Sequence, residues 1–169
     1  MLALVAASYF SDITLTVAMT PSDFVWQGFM QGNKDGCKEW PIEGESTLSW
    51  HGKPLDYMPF VYKHPDYWKV IEQETKGTGN MLCSRKLFDD SEKAYNLTEK
   101  EMIKVENICG KLCLIGADDD TLWNTGKYIR RMYGRLKKTP HKCDYEVLVY
   151  KYGTHFVFPE TLSKLLVPG

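Results

Sequence analysis

One histidine near the C-terminus stands where a reactive imidazole can be used. His155 follows the β-branched and aromatic stretch Lys142–Gly153, which predicts a strand that ends at a glycine. Polar side chains at the carboxyl ends of strands line the ligand-binding edge of a parallel sheet. An imidazole placed there can accept or donate a proton near neutral pH. The plainer alternative is a histidine that only caps a turn.

Three consecutive carboxylates follow an earlier strand. Asp118, Asp119 and Asp120 end the apolar stretch that begins at Gly110. They could orient an imidazole, add negative charge before the first turn of a helix, or hold a divalent cation. Consecutive side chains point in different directions, so an oxygen cage is not expected. The spacing of the cysteines and histidines is also too irregular for a zinc site.

The order of the elements predicts how these groups meet. After the strand at 110–120, residues 121–139 have helical periodicity, and the strand at 142–153 follows. The apolar face of this helix comprises Leu122, Ile129, Met132, Tyr133 and Leu136. A strand–helix–strand unit implies two parallel strands, whose carboxyl ends lie together. The aspartates and His155 are therefore predicted to lie close to each other, with a final helix from about Pro159 to Leu166.

The first hundred residues are less regular. A helix is predicted at 2–10, a buried strand at 13–19 and a short helix at 66–75, whereas "SEKAYNLTEKEMIKV" is predicted to be partly helical. The stretch 24–68 is rich in glycine and proline turn signals and holds ten of the 22 aromatic residues. Its aromatic side chains are predicted either to pack in a core or to wall an apolar pocket.

Composition excludes several classes of protein. The chain of 169 residues suits one domain, and its net charge of -1 gives no basic field for nucleic acid. Five cysteines without a disulfide framework favour a reducing compartment, so a cytoplasmic location is expected. The apolar run at the N-terminus is broken by Ser8, Ser11 and Asp12, so no membrane span is expected. Nothing in the sequence indicates a cofactor.

Several segments together resemble one family. "STLSWHGKPLDYMPF", "GKLCLIGADDDTLW", "YIRRM" and "GTHFVFPETL" are similar to the C-terminal domain of the acyl-CoA thioester hydrolase and bile acid-CoA:amino acid N-acyltransferase family. The resemblance covers nearly the whole chain. It implies an α/β-hydrolase fold, with a mostly parallel sheet, flanking helices and a long aromatic-rich insertion at 24–100. Residues 1–169 would then form one partial domain, with the strand–helix units that bear the acid and base at 110–169.

The resemblance implies roles for particular residues. His155 would be the general base, and Asp119 would be the acid that orients it, because Asp119 fits the G-x-x-D spacing from Gly116. Asp120 is the second choice, selected by counting back three residues from Trp123. Within the insertion, Trp26, Trp50 and Phe60 would contact an acyl chain. An acyl-CoA or another acyl thioester or ester would be the substrate of the complete protein.

The sequence departs from this family at the nucleophile. Family members place a serine or cysteine on a tight G-x-S/C-x-G turn, and no such turn occurs in these 169 residues. The first hypothesis is therefore the C-terminal portion of a thioesterase or acyltransferase, inactive alone. A second is a non-catalytic interaction module that self-associates through an exposed sheet edge at residues 13–19. A third is one half of a split hydrolase.

Overall fold

The computed structural model describes residues 1–30, 40–79 and 81–156. Its helices are α1 (Leu2–Tyr9), α2 (Asp66–Gly77), α3 (Arg85–Ala94) and α4 (Thr125–Lys138). Its strands are β1 (Leu15–Met19), β2 (Gln27–Met30), β3 (Trp40–Ser46), β4 (Ser49–Trp50), β5 (Lys53–Pro54), β6 (Lys111–Ala117) and β7 (Tyr145–Tyr150). A short 3-10 turn spans Val105–Asn107.

The central sheet is parallel and has the order β1-β6-β7. Leu15 of β1 pairs with Lys111 of β6, and Leu112 of β6 pairs with Tyr145 of β7. All three strands therefore end at the same edge of the sheet. This confirms the prediction of a mixed α/β fold with a parallel sheet, consistent with the C-terminal part of an α/β-hydrolase.

One face of this sheet is covered by α1 and α4. Ile129, Met132 and Leu136 of α4 are fully buried against the sheet, together with Leu112 and Leu114 of β6. Recurrence at intervals of three or four residues places the three α4 side chains on one helical face. Alternate residues of each strand point to the other sheet face, which no element of the described ranges covers. Its exposed apolar side chains are Leu15, Val17, Met19, Leu148 and Tyr150.

A second core is built from aromatic rings of the segment between β1 and β6. Trp26 stacks on Phe60 with ring centroids 5.0 Å apart, and it meets Phe88 of α3 edge-on at 4.5 Å. Tyr128 of α4 joins this aromatic cluster through Phe24, at 5.4 Å. Edge-to-face and offset contacts of this kind add to the stabilisation from buried area. The cluster therefore fastens the segment to α4.

Several predicted elements differ from those observed. The stretch 24–68, predicted to be irregular, contains the antiparallel pairs β2–β3 and β4–β5. The strand at 13–19 forms as β1, but it is buried on one face only. α3 begins at Arg85, before the segment predicted to be helical, and Tyr133 is 37% exposed because it lies at the edge of the α4 apolar face. The helix predicted near Pro159–Leu166 lies outside the described residues.

None of the helices in the described part of the chain has the length and apolar character needed to cross a membrane.

Candidate functional site

The carboxyl ends of the three parallel strands bring polar groups from distant parts of the sequence together. Thr20 follows β1 directly, Asp118–Asp120 follow β6, and His155 lies five residues beyond the end of β7. Because β6 is the central strand of the three, its loop lies between the other two strand ends. This edge is where α/β proteins place ligands and reactive groups.

His155 is paired with Asp120. The imidazole Nδ1 lies 2.9 Å from Oδ2 of Asp120, whose side chain is completely buried. The same carboxylate accepts a hydrogen bond of 2.9 Å from the Leu122 N–H at Oδ1, and the Thr125 hydroxyl lies 3.1 Å from Oδ2. These contacts fix the direction of the Asp120 carboxylate. Because a carboxylate oxygen accepts hydrogen bonds, Nδ1 is the donor of this pair.

The start of α4 explains why Asp120 is held so closely. The Thr125 hydroxyl also lies 2.9 Å from the Ala117 carbonyl, so it ties the helix to the end of β6. Asn124 caps the helix by accepting a hydrogen bond from the Lys127 N–H. Gly116 permits the close approach, because a Cβ there would lie 2.7 Å from Cδ1 of Ile129.

The other two aspartates have different surroundings. Asp118 forms two hydrogen bonds with Arg130, of 2.7 and 2.8 Å, and these lower the pKa of its carboxyl below the usual value. Asp119 is exposed and makes no hydrogen bond or ion pair with another residue of the described ranges. The carboxylate next to His155 is thus Asp120, which was the second choice from the sequence, and not Asp119.

Residues at the N-terminus of α3 bind backbone carbonyls of the segment Asp118–Thr121, called here the aspartate loop. The Arg85 guanidinium donates to the carbonyls of Asp118 and Asp120 at 2.8 and 3.3 Å. The backbone N–H groups of Ser84 and Arg85 both donate to the carbonyl of Thr121, at 3.0 and 3.1 Å. The segment between β1 and β6 therefore supports the loop that carries Asp120.

The other side of the imidazole contacts two residues that the sequence analysis did not single out as functional. Thr20 Oγ1 lies 3.4 Å from Nε2 of His155. The ring of Trp123 meets the imidazole edge-on with centroids 4.3 Å apart. The sequence predicted no role for Trp123 beyond its spacing of three residues from Asp120. No signal in the sequence indicates a functional role for Thr20, because a threonine and a proline after a strand are ordinary turn residues.

The aromatic residues expected to contact a substrate are in two different environments. Trp26 and Phe60 are buried inside the aromatic cluster. Trp50 is 37% exposed and packs against Tyr9 and Phe10 of the α1 region, at 4.9 and 5.4 Å. It lines an apolar cavity of about 170 Å³ between α1 and the β4–β5 hairpin. Trp50 is the one of the three that a ligand could touch without repacking the core.

Within the described ranges, no three His, Cys, Asp or Glu side chains are grouped so that they could hold a metal ion.

The chain was compared with known families, curated proteins and solved structures. Residues 1–161 match the family model described as BAAT / Acyl-CoA thioester hydrolase C terminal. No curated protein and no solved structure matches the chain significantly. The match confirms the resemblance read from the sequence and covers far more than half of the 169 residues.

Proposed function

This chain belongs to the BAAT / acyl-CoA thioester hydrolase C-terminal domain family, and from that premise we propose that it supplies the acid and base of an acyl-transfer site. The family implies an acyl-CoA substrate. The observation that carries the proposal is the 2.9 Å contact between His155 Nδ1 and the buried Asp120. Asp120 is the orienting acid in this proposal, in place of Asp119.

The proposed chemistry follows from the tautomer of His155. With its proton on Nδ1 and directed at Asp120, the imidazole has a free electron pair on Nε2. Nε2 takes the proton from the attacking serine or cysteine, which bonds to the thioester carbonyl carbon. The carbon–sulfur bond breaks, and the leaving thiolate takes that proton. In the second half, Nε2 deprotonates water or an amine, which bonds to the acyl carbon. The bond from that carbon to the serine or cysteine breaks, and the freed oxygen or sulfur takes the proton back from Nε2.

The nucleophile is proposed to lie outside the 169 residues, since they contain no G-x-S/C-x-G turn. The chain alone would then lack both the covalent step and the oxyanion donors of that turn. Removing one such donor typically costs about 3–4 kcal/mol of transition-state stabilisation. We expect the chain alone to hydrolyse acyl-CoA no faster than its His155→Ala variant.

The acyl chain is proposed to contact Trp50, while Trp26 and Phe60 remain inside the aromatic cluster and support the insertion from within. The cavity beside Trp50 is lined mainly by apolar side chains, including Leu2, Phe10 and Leu55. Sites for apolar ligands have linings of this kind. Residues 24–100 would then act as a lid over the acyl chain and also support the Asp120 loop.

The decisive experiment starts from the coding DNA upstream of Met1. We expect a reading frame that encodes a strand and a G-x-S/C-x-G turn, either continuous with this chain or as a separate half. The assembled protein should hydrolyse or transfer acyl thioesters. In it, His155→Ala and Asp120→Asn should each lower kcat about 10³- to 10⁴-fold.

Asp119→Asn is the matched control, because it removes a neighbouring carboxylate that does not contact His155. It should leave kcat within about twofold of the parent, as for most exposed substitutions. An equal loss in the Asp119 and Asp120 variants would contradict the assignment of Asp120. Turnover by the 169-residue chain alone that depends on one of its own serine or cysteine residues would contradict the external nucleophile.

A second candidate function is a non-catalytic interaction module. It is favoured by the open apolar face of the sheet, where Leu15, Val17 and Met19 of β1 are each about half exposed. Among the described strands β1 pairs with β6 only, so its other edge can receive a strand.

A further inference from the structure

Both ring nitrogens of His155 have a hydrogen-bonding partner in the structure. Nδ1 faces Asp120, and Nε2 faces the hydroxyl of Thr20 at 3.4 Å, which is longer than a typical hydrogen bond. Since the Nδ1 proton is directed at Asp120, Nε2 is an acceptor and the Thr20 O–H is its donor. A ring bound at both nitrogens has one orientation about its long axis.

We propose that Thr20 is a positioning residue for His155, whose hydroxyl holds Nε2 at the point where a proton is to be received. The inference rests on the proposed role of His155 as the base. Thr20, which follows β1, is then a third member of the site beside Asp120, which follows β6, and His155, which follows β7. Thr20 contributes orientation, because the hydroxyl keeps the imidazole from turning about its Cβ–Cγ bond when no substrate is bound.

The backbone of Thr20 is fixed independently of its side chain. Its φ angle is +45°, in the left-handed region that a β-branched residue seldom adopts. Its N–H donates to the Ile115 carbonyl at 2.7 Å, and its carbonyl accepts from Nε1 of Trp123 at 3.1 Å. A conformation of this kind is unfavourable for a β-branched residue and persists where the surroundings enforce it. The hydroxyl is therefore presented from a rigid point.

Trp123 joins the two residues. One end of its indole binds the Thr20 carbonyl, while the ring packs edge-on against the imidazole at 4.3 Å. The tryptophan thus sets the distance between the Thr20 backbone and the His155 ring. Small displacements of a catalytic group have large effects on rate, so a fixed position of the imidazole favours catalysis.

Thr20 is better placed to orient than to attack. In the α/β-hydrolase arrangement, the backbone N–H after the nucleophile stabilises the developing oxyanion. The residue after Thr20 is Pro21, which has no N–H to donate. Thr20 is also 93% buried, which leaves little room for an acyl group on its oxygen.

The test compares Thr20→Val, which keeps the shape and loses the hydroxyl, with Thr20→Ser, which keeps the hydroxyl and loses a methyl group. In the purified 169-residue chain, long-range ¹⁵N–¹H NMR reads the tautomer of His155. We expect the parent and Thr20→Ser to give one Nδ1–H form. Thr20→Val should give a mixture of tautomers or broadened ring signals.

A chemical readout runs beside the spectra. Diethyl pyrocarbonate acylates a free imidazole nitrogen, and peptide mass spectrometry separates His155 from the other three histidines. Loss of the hydrogen bond to Nε2 should speed modification of His155 about fivefold in Thr20→Val, and Thr20→Ser should match the parent. Thr20→Ala repeats the loss of the hydroxyl if Thr20→Val does not fold.

Three results would overturn the proposal. A change in Thr20→Ser with none in Thr20→Val would assign the effect to packing of the methyl group. Equal behaviour of the parent, Thr20→Val and Thr20→Ala would remove any role for the hydroxyl. An acyl group found on Thr20 after incubation with p-nitrophenyl acetate would make it a nucleophile. Failure of the His155–Asp120 pair is distinguishable, because then Asp120→Asn leaves the tautomer unchanged.

Discussion

At the scale of single residues, the buried charge of Asp23 gives a prediction for pH. Its carboxylate is completely buried and receives two hydrogen bonds from Arg131, of 2.6 and 2.7 Å, while Arg131 also binds Glu92. Burial is the dominant influence and raises the pKa of Asp23 from 3.8 to about 6, against the opposing effect of Arg131. Between pH 3.8 and about 6, Asp23 therefore keeps its proton in the folded protein but has released it in the unfolded chain.

The sign of the stability effect follows from this difference. The contribution of Asp23 is fully present below the unfolded pKa of 3.8 and is lost as the pH rises through about 6. Asp23→Asn cannot titrate and does not lose this contribution. Its free energy of unfolding should therefore rise relative to that of the parent by roughly 3 kcal/mol between pH 3.8 and about 6. Urea denaturation at a series of pH values measures the difference. A difference that stays flat, or that changes in favour of the parent, would contradict the raised pKa.

At the scale of elements, two glycines form a matched pair. Gly116 lies where β6 meets α4, and an added Cβ would press on Ile129 and Thr125. Gly134 lies inside α4 with open space around it. Gly116→Ala should destabilise the protein by about 1–3 kcal/mol through overpacking. Gly134→Ala should stabilise it by about 1 kcal/mol through helix propensity.

Thermal and urea unfolding of the two variants tests this pair. Gly116→Ala should also loosen Asp120, because Thr125 joins the start of α4 to that carboxylate. The NMR signals of His155 should therefore broaden in Gly116→Ala and remain sharp in Gly134→Ala. Equal stability of the two variants would mean that α4 can move away from β6 at little cost.

At the scale of the whole molecule, the open sheet face predicts self-association. Val17 is the central residue of β1, the edge strand, and its side chain lies on the open face and is 48% exposed. Val17→Lys should weaken association, since a charged side chain on an edge strand opposes pairing with a second strand. Sedimentation velocity over a wide range of concentration provides the measurement. A parent chain that stays monomeric throughout would remove the support for the interaction module.

The parallel sheet was predictable from the sequence because its signals are local and strong. β6, α4 and β7 have long apolar or periodic stretches, and chain order then requires their carboxyl ends to meet. The pairs β2–β3 and β4–β5 were missed because strands of two to seven residues among turn residues have no clear period. The start of α3 at Arg85 was missed because its packing against the aspartate loop, and not its sequence pattern, determines it.

The site itself was only partly predictable. His155 and a partner among three aspartates followed from the element order and the family resemblance. The selection between Asp119 and Asp120 depends on which side chain turns inward beneath Thr125, which spacing alone does not determine. Thr20 depends on a backbone conformation that a threonine does not favour, so no propensity indicates it.

The hydrogen bonds from α3 to the aspartate loop affect which side chains this loop can tolerate. Arg85 and the N–H groups beside it bind carbonyl oxygens, which every residue type possesses. These bonds from α3 to the loop use none of its carboxylates. Asp118 is left to pair with Arg130, Asp119 to face water and Asp120 to hold the imidazole. Exchanging one of the three side chains therefore leaves the bonds from α3 to the loop backbone in place, so each of the three positions can change separately as far as this attachment is concerned.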